Sequence, residues 1–156
     1  GTGSRSIQQQ MPDFLPDRLE AGTLNMPGIA GLLAGIRYVH RGGIDKILDH
    51  EKHLAKLTIQ GLEDLPDLRI YASPALRNQA GVLSLTARGL DVETIGSALA
   101  ERGIAVRAGI QCAPYAHRTA GTLETGTVRI SFSDFNTTEE VARLLRAIRG
   151  VLGRSF

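Results

Sequence analysis

Between Arg107 and Arg129 the chain reads RAGIQCAPYAHRTAGTLETGTVR, and this stretch holds its only cysteine, Cys112. A thiol does covalent work as the thiolate, which positive charge and access to solvent favour; Arg107, Arg118 and His117 lie close enough in sequence to supply the charge. Gly109 and Pro114 bracket the cysteine with breaker residues, which argues for a surface loop; the competing reading is a lone cysteine acting as a small buried hydrophobe. Arg129 lies in a β-like run, Thr127 to Phe132. An arginine there either faces outward from an edge strand or points inward onto an anion. A carboxylate suits its planar fork through two parallel hydrogen bonds that lysine cannot reproduce. His117 is a candidate base for Cys112, but no third orienting residue stands at a recognisable spacing. His50 and His53, three residues apart, lack a clear third metal ligand. Gly1-Thr2-Gly3-Ser4 is a small-residue loop of the type that can cradle a phosphate, though four such residues at a terminus read more simply as a disordered chain end.

These residues need elements to position them. An apolar run, Ile104 to Val106, leads into the cysteine stretch and Thr127 to Phe132 leads out, so the thiol is expected on a loop between two strands. Upstream, Ile7 to Asn25 is punctuated by Pro12, Pro16 and Gly22 and reads as irregular. Pro27 suits the first turn of a helix in which Ile29, Leu32, Leu33 and Ile36 make one buried face, with Gly42 and Gly43 stopping it. Gly28, Gly31 and Gly35 form a small-residue stripe on that helix, expected to let another element approach closely. A second helix is expected over Ile44 to Gln60, with a solvated charged face. Leu68 to Ala72 and Gly81 to Ala87 read as strands, and Asp91 caps a helix ending at Gly103. Thr137 and Glu140 form a capping-box pattern opening a last helix with a wide apolar stripe, Val141 to Leu152. The resulting order is that of an α+β two-layer domain, helices on a small, largely antiparallel sheet.

With 156 residues, 42% hydrophobic and 22% charged, the chain can bury a real core. Its formal net charge of +2 is not clustered and aromatics are only 4%, so a nucleic-acid platform has little support. One cysteine excludes an internal disulfide and a multi-cysteine zinc site, and a reducing, cytoplasmic compartment is expected. No apolar run approaches the length of a membrane span, and no membrane partner is expected.

The phrase RAGIQCAP, followed by GTVRISFSDFNTTEEV, resembles the C-terminal part of class V aminotransferase-fold enzymes, and within them the cysteine desulfurases with a short cysteine loop. The segment RLEAGTLN, Arg18 to Asn25, is similar to that family's RFEAGTPN at the active-site entrance. The likeness runs from Gly1 to about Leu152 and departs from the family at Leu24, where proline is usual, and at Gln111, where many relatives carry histidine. It implies the small C-terminal domain of a fold-type I pyridoxal-phosphate enzyme over residues 27–156, with residues 1–26 an active-site loop region of a large domain that lies upstream. It implies Cys112 as the nucleophile that takes sulfur from L-cysteine as a persulfide and releases alanine. Arg129 would clamp the substrate carboxylate, Arg107 would be a second active-site arginine that binds substrate, Asn25 a substrate-binding residue at the entrance, and Thr2 with Gly1 and Gly3 a contact to the cofactor phosphate of a partner subunit, making a homodimer. A sulfur-acceptor protein and supply of iron–sulfur clusters or other thio-cofactors follow from the same likeness. The family's Schiff-base lysine has no match among Lys46, Lys52 and Lys56, so the 156 residues alone are expected to be inactive. A selenocysteine lyase, a class V aminotransferase and a non-enzymatic α+β binding module remain open alternatives.

Overall fold

The computed structural model of the chain describes residue 5, residues 7–20 and residues 22–153. The chain divides into two compact units, Gly1–Gly43 and Ile44–Phe156. The first is irregular up to a 3-10 turn at Asp17–Leu19 and then forms helix α1, Met26–Gly42. Asn25 caps α1 by accepting from the Gly28 amide at 3.1 Å, Pro27 occupies the first turn where its missing N–H is not needed, and Gly43 ends it at φ +85°. The apolar face expected to be buried is open. Ile29, Leu32, Leu33 and Ile36 are 46–65% exposed. Of the glycine stripe, Gly28 faces its own cap, the Asn25 side chain, and a Cβ built on Gly31 or Gly35 would meet nothing within 4 Å. Helical periodicity fixes which face is apolar; it does not say what covers it.

The second unit contains α2 (Ile44–Gln60), β1 (Leu68–Tyr71), β2 (Val82–Ala87), α3 (Val92–Ala100), α4 (Pro114–Ala120), β3 (Val128–Ser131) and α5 (Thr138–Leu152). The strands make an antiparallel sheet in the order β1-β2-β3. Alternation along β2 and β3 sends Leu83, Leu85, Val128 and Ile130 to one face, where they are buried with Ala55 of α2, Ile95 and Leu99 of α3 and Leu144 and Ile148 of α5. Each buried leucine, isoleucine or valine among them contributes on the order of 1.5–3 kcal/mol by leaving water. This is the expected two-layer α+β arrangement. Asp91 caps α3 through the Thr94 amide at 2.9 Å. Thr137 and Glu140 cap α5 reciprocally, each side chain accepting from the other residue's backbone N–H.

Two expectations fail locally. Ile104–Val106 forms no strand; pairing there is reduced to a single antiparallel bridge between Arg107 and Arg129. And the stretch after Cys112 is not all loop, because Pro114 opens the short helix α4 and Gly121, at φ +69°, closes it. Proline at the start and glycine just past the end is a helix signature that the sequence carried in plain view. Among the described residues no helix is long and apolar enough to cross a membrane.

Candidate active site

Cross-strand register builds the site on the face of the sheet opposite the core. Tyr71 pairs with Ser84, and Ser84 with Arg129, so the three side chains form one row across β1, β2 and β3. Arg107 extends this row. Its amide donates to the Arg129 carbonyl at 3.1 Å and the Arg129 amide donates back at 2.7 Å. Residues that exchange both backbone hydrogen bonds send their side chains to the same face, so two guanidinium groups start side by side. Like charges directly opposite one another are destabilising unless an anion joins them. Among the described residues neither arginine pairs with a carboxylate, and Arg129 Nε is buried without any hydrogen-bond partner. Arg129 therefore points neither into the core nor freely outward: it is half-buried in a cleft of about 550 Å³, also lined by Tyr71, Ser84, Gln79, Gln111 and His117. A larger depression of about 800 Å³ around Asp67, Arg69 and Arg88 has neither the thiol nor an orphaned guanidinium nitrogen.

Cys112 is exposed, and its sulfur lies 4.0 Å from Arg107 Nη2. The buried-hydrophobe reading is thereby excluded. Gln111 and Cys112 both adopt positive φ, 51° and 58°, a left-handed pair that costs non-glycine residues on the order of 1–2 kcal/mol each and persists only where surroundings enforce it. The surroundings are specific. Gln111 Nε2 donates to the Arg107 carbonyl at 3.2 Å and to the Thr127 carbonyl at 2.8 Å. Gly109 and Gly126 press together, the Thr127 amide donating to the Gly109 carbonyl at 3.0 Å. His117 does not pair with the thiol; it is buried, and its ring nitrogens meet Thr122 Oγ1 at 2.8 Å and Gln111 Oε1 at 3.1 Å. Sequence reasoning did not single out Thr122 or Thr127, nor foresee that Gln111 would tie the loop.

Asn25 is in the first unit as the cap of α1. Gly1, Thr2 and Gly3 fall outside the described residues. His50 Nε2 contacts the Asn136 carbonyl at 2.9 Å, and no cluster of metal-binding side chains occurs among the described residues.

In comparison with known proteins, the family model for aminotransferase class-V covers residues 2–144. The chain belongs to that family. Its relatives include a probable cysteine desulfurase of Pyrococcus abyssi, 42% identical over 83% of this chain and 32% of the relative. Another, from Mycolicibacterium paratuberculosis, is 40% identical over 94% of this chain and 21% of the relative. The solved apo cysteine desulfurase of Thermococcus onnurineus NA1 superimposes with a TM-score of 0.78 at 39% identity, covering 88% of this chain and 34% of that one. This chain thus spans about a fifth to a third of the length of these class-V proteins.

Proposed function

We propose that this chain is the sulfur-accepting, substrate-clamping portion of a pyridoxal-phosphate-dependent cysteine desulfurase. The observation that carries the proposal is the Arg107–Arg129 pair, with its orphaned Nε, 4.0 Å at its nearer edge from the exposed Cys112 sulfur. Two arginines bridged through their backbones, neither paired with a carboxylate among the described residues, suit a small anion, and a thiol beside Arg107 suits a substrate whose reactive sulfur sits a few bonds from a carboxylate. L-Cysteine has that arrangement, and the names of the relatives agree with it.

In this reading Arg129 and Arg107 hold the carboxylate while the Cys112 thiolate attacks the substrate sulfur. The new S–S bond forms as the substrate Cβ–S bond breaks, and the electron pair left on the carbon fragment is matched by a proton, so that alanine leaves and Cys112 carries the persulfide. Pyridoxal phosphate, when bound, supplies the electron sink such a cleavage needs. The described residues do not supply its covalent anchor: Lys46, Lys52 and Lys56 all lie on α2, and none lines the cleft. The anchor belongs to a longer protein, in which Gly1, Thr2 and Gly3 would approach the cofactor phosphate of a partner subunit and Asn25 would line the entrance. A homodimer, a sulfur-acceptor protein and a reducing, cytoplasmic setting go with the same reading.

The test compares alanine and sulfide release from L-cysteine by the 156-residue chain and by a form extended upstream, both with added pyridoxal phosphate. Only the extended form should release alanine, and its Cys112→Ser variant should not. Turnover by the 156 residues alone would overturn the assignment of the anchor. Alanine formation that survives Cys112→Ser would point instead to another class V activity, such as transamination.

A further inference from the structure

We propose that His117 is a positioning residue for Cys112, acting through the side-chain amide of Gln111. Both protons of Gln111 Nε2 are committed, to the carbonyls of Arg107 and Thr127. That pair of acceptors fixes which end of the amide is nitrogen, so Gln111 Oε1 faces His117 Nε2 at 3.1 Å and Thr127 Oγ1 at 3.4 Å as an acceptor. The proton between them is therefore on His117 Nε2. The ring's other nitrogen, Nδ1, lies 2.8 Å from the Thr122 hydroxyl, which also lies 3.5 Å from the His117 carbonyl. The amide makes all four of its hydrogen bonds, and each restrains the backbone that presents the thiol: Arg107 on one side, Thr127 on the other, and the left-handed Gln111-Cys112 step between them. Satisfied networks of this kind rigidify, and removing one member leaves the others buried and unpaired. An imidazole inside α4 thus sets the shape of a loop whose thiol it does not touch.

The proposal takes from the functional reading only that Cys112 is the reacting group. Two measurements on the ¹⁵N-labelled 156-residue chain test the geometry itself. The ring ¹⁵N shifts of His117 should report a proton on Nε2; a proton on Nδ1 with Nε2 bare would overturn the proposal without any variant. Hydrogen exchange at the amides of Ala113 and Thr127 should then quicken about tenfold in His117→Phe, which keeps a ring of similar volume but no donor. It should return close to the parent rate in His117→Gln, whose amide can donate to Gln111 Oε1. Equal exchange in the Phe variant and the parent would show that His117 only fills space, and a Gln variant as fast as Phe would show that the donor is not what matters. If the Phe variant does not fold, the ring shifts decide alone. In the extended enzyme the same pair should separate in kcat, about tenfold lower for Phe and restored for Gln, with KM little changed. An extended parent that releases no alanine would sink the desulfurase reading while leaving the shift and exchange results to stand or fall separately.

Discussion

Replacing Gly126 with alanine tests how the cysteine loop is held, and Gly121 provides a matched control. Both glycines are left-handed, at φ +67° and +69°. The conformational penalty of an alanine is therefore common to both, on the order of 1 kcal/mol. They differ in space. A Cβ on Gly121 would meet nothing within 4 Å, whereas one on Gly126 would lie 2.7–2.8 Å from the carbonyl carbon, Cα and oxygen of Gly109. That contact is with backbone and cannot be relieved by a rotamer change, so the two loop segments must separate, which adds roughly 1–3 kcal/mol by analogy with overpacked cores. Gly121→Ala should then cost about 1 kcal/mol and Gly126→Ala about 2–4 kcal/mol. At roughly 2–4 °C per kcal/mol for a chain of this size, the melting temperature of Gly126→Ala should fall about 2–12 °C below that of Gly121→Ala. Calorimetry or circular dichroism reads this directly. Equal melting temperatures for the two variants would refute the close approach of Gly109 and Gly126 as a clamp on the thiol's loop.

Leu99 is completely buried between α3 and the sheet, and Leu99→Ala should lose about 2–5 kcal/mol in denaturant unfolding; a loss under about 1 kcal/mol would contradict the core described. Leu32, 65% exposed on α1, should accept lysine within about 0.5 kcal/mol in the 156-residue chain, and a larger loss would mean that its face is covered. Acid should destabilise the fold in a definite window. The Arg149 guanidinium holds Asp64 below its ordinary value of 3.8, the backbone N–H of Glu139 holds that carboxyl below 4.5, and the Asn136 amide does the same for Glu140. Carboxylates depressed on folding contribute stability that is fully present above their unfolded values and is lost as pH falls through the folded ones. The melting temperature should therefore hold from neutrality to about pH 5 and decline below about pH 4, and Glu140→Gln should shallow that decline; a flat profile to pH 3 would count against it.

How much of this was legible beforehand varied with how local the physics was. α2 and α5 could be read from periodicity and caps, since Thr137 and Glu140 act within one turn. The strands β1 to β3 followed from β-branched and apolar runs bounded by turn residues. α4 is the less legible helix because Pro114 reads as a breaker beside Cys112, although with Gly121 seven residues later it also marks a helix start. The apolar face of α1 was legible but not its exposure, because what covers a face is a property of the neighbours. At the site, Cys112, Arg107 and Arg129 stood out by residue type. Their adjacency depends on the antiparallel register that puts Arg107 beside Arg129, which no single segment encodes. Thr122 and Thr127, and the tie that Gln111 and His117 make with them, are not legible because each residue acts only as one member of a network.

The most direct test of the central claim is mass spectrometry of the upstream-extended protein after incubation with pyridoxal phosphate and L-cysteine. The peptide carrying Cys112 should gain the mass of one sulfur atom, lose it on treatment with a reducing thiol, and fail to gain it when Arg129 is replaced by alanine. A protein that converts L-cysteine to alanine while the Cys112 peptide stays unmodified would contradict the assignment of this thiol as the sulfur acceptor.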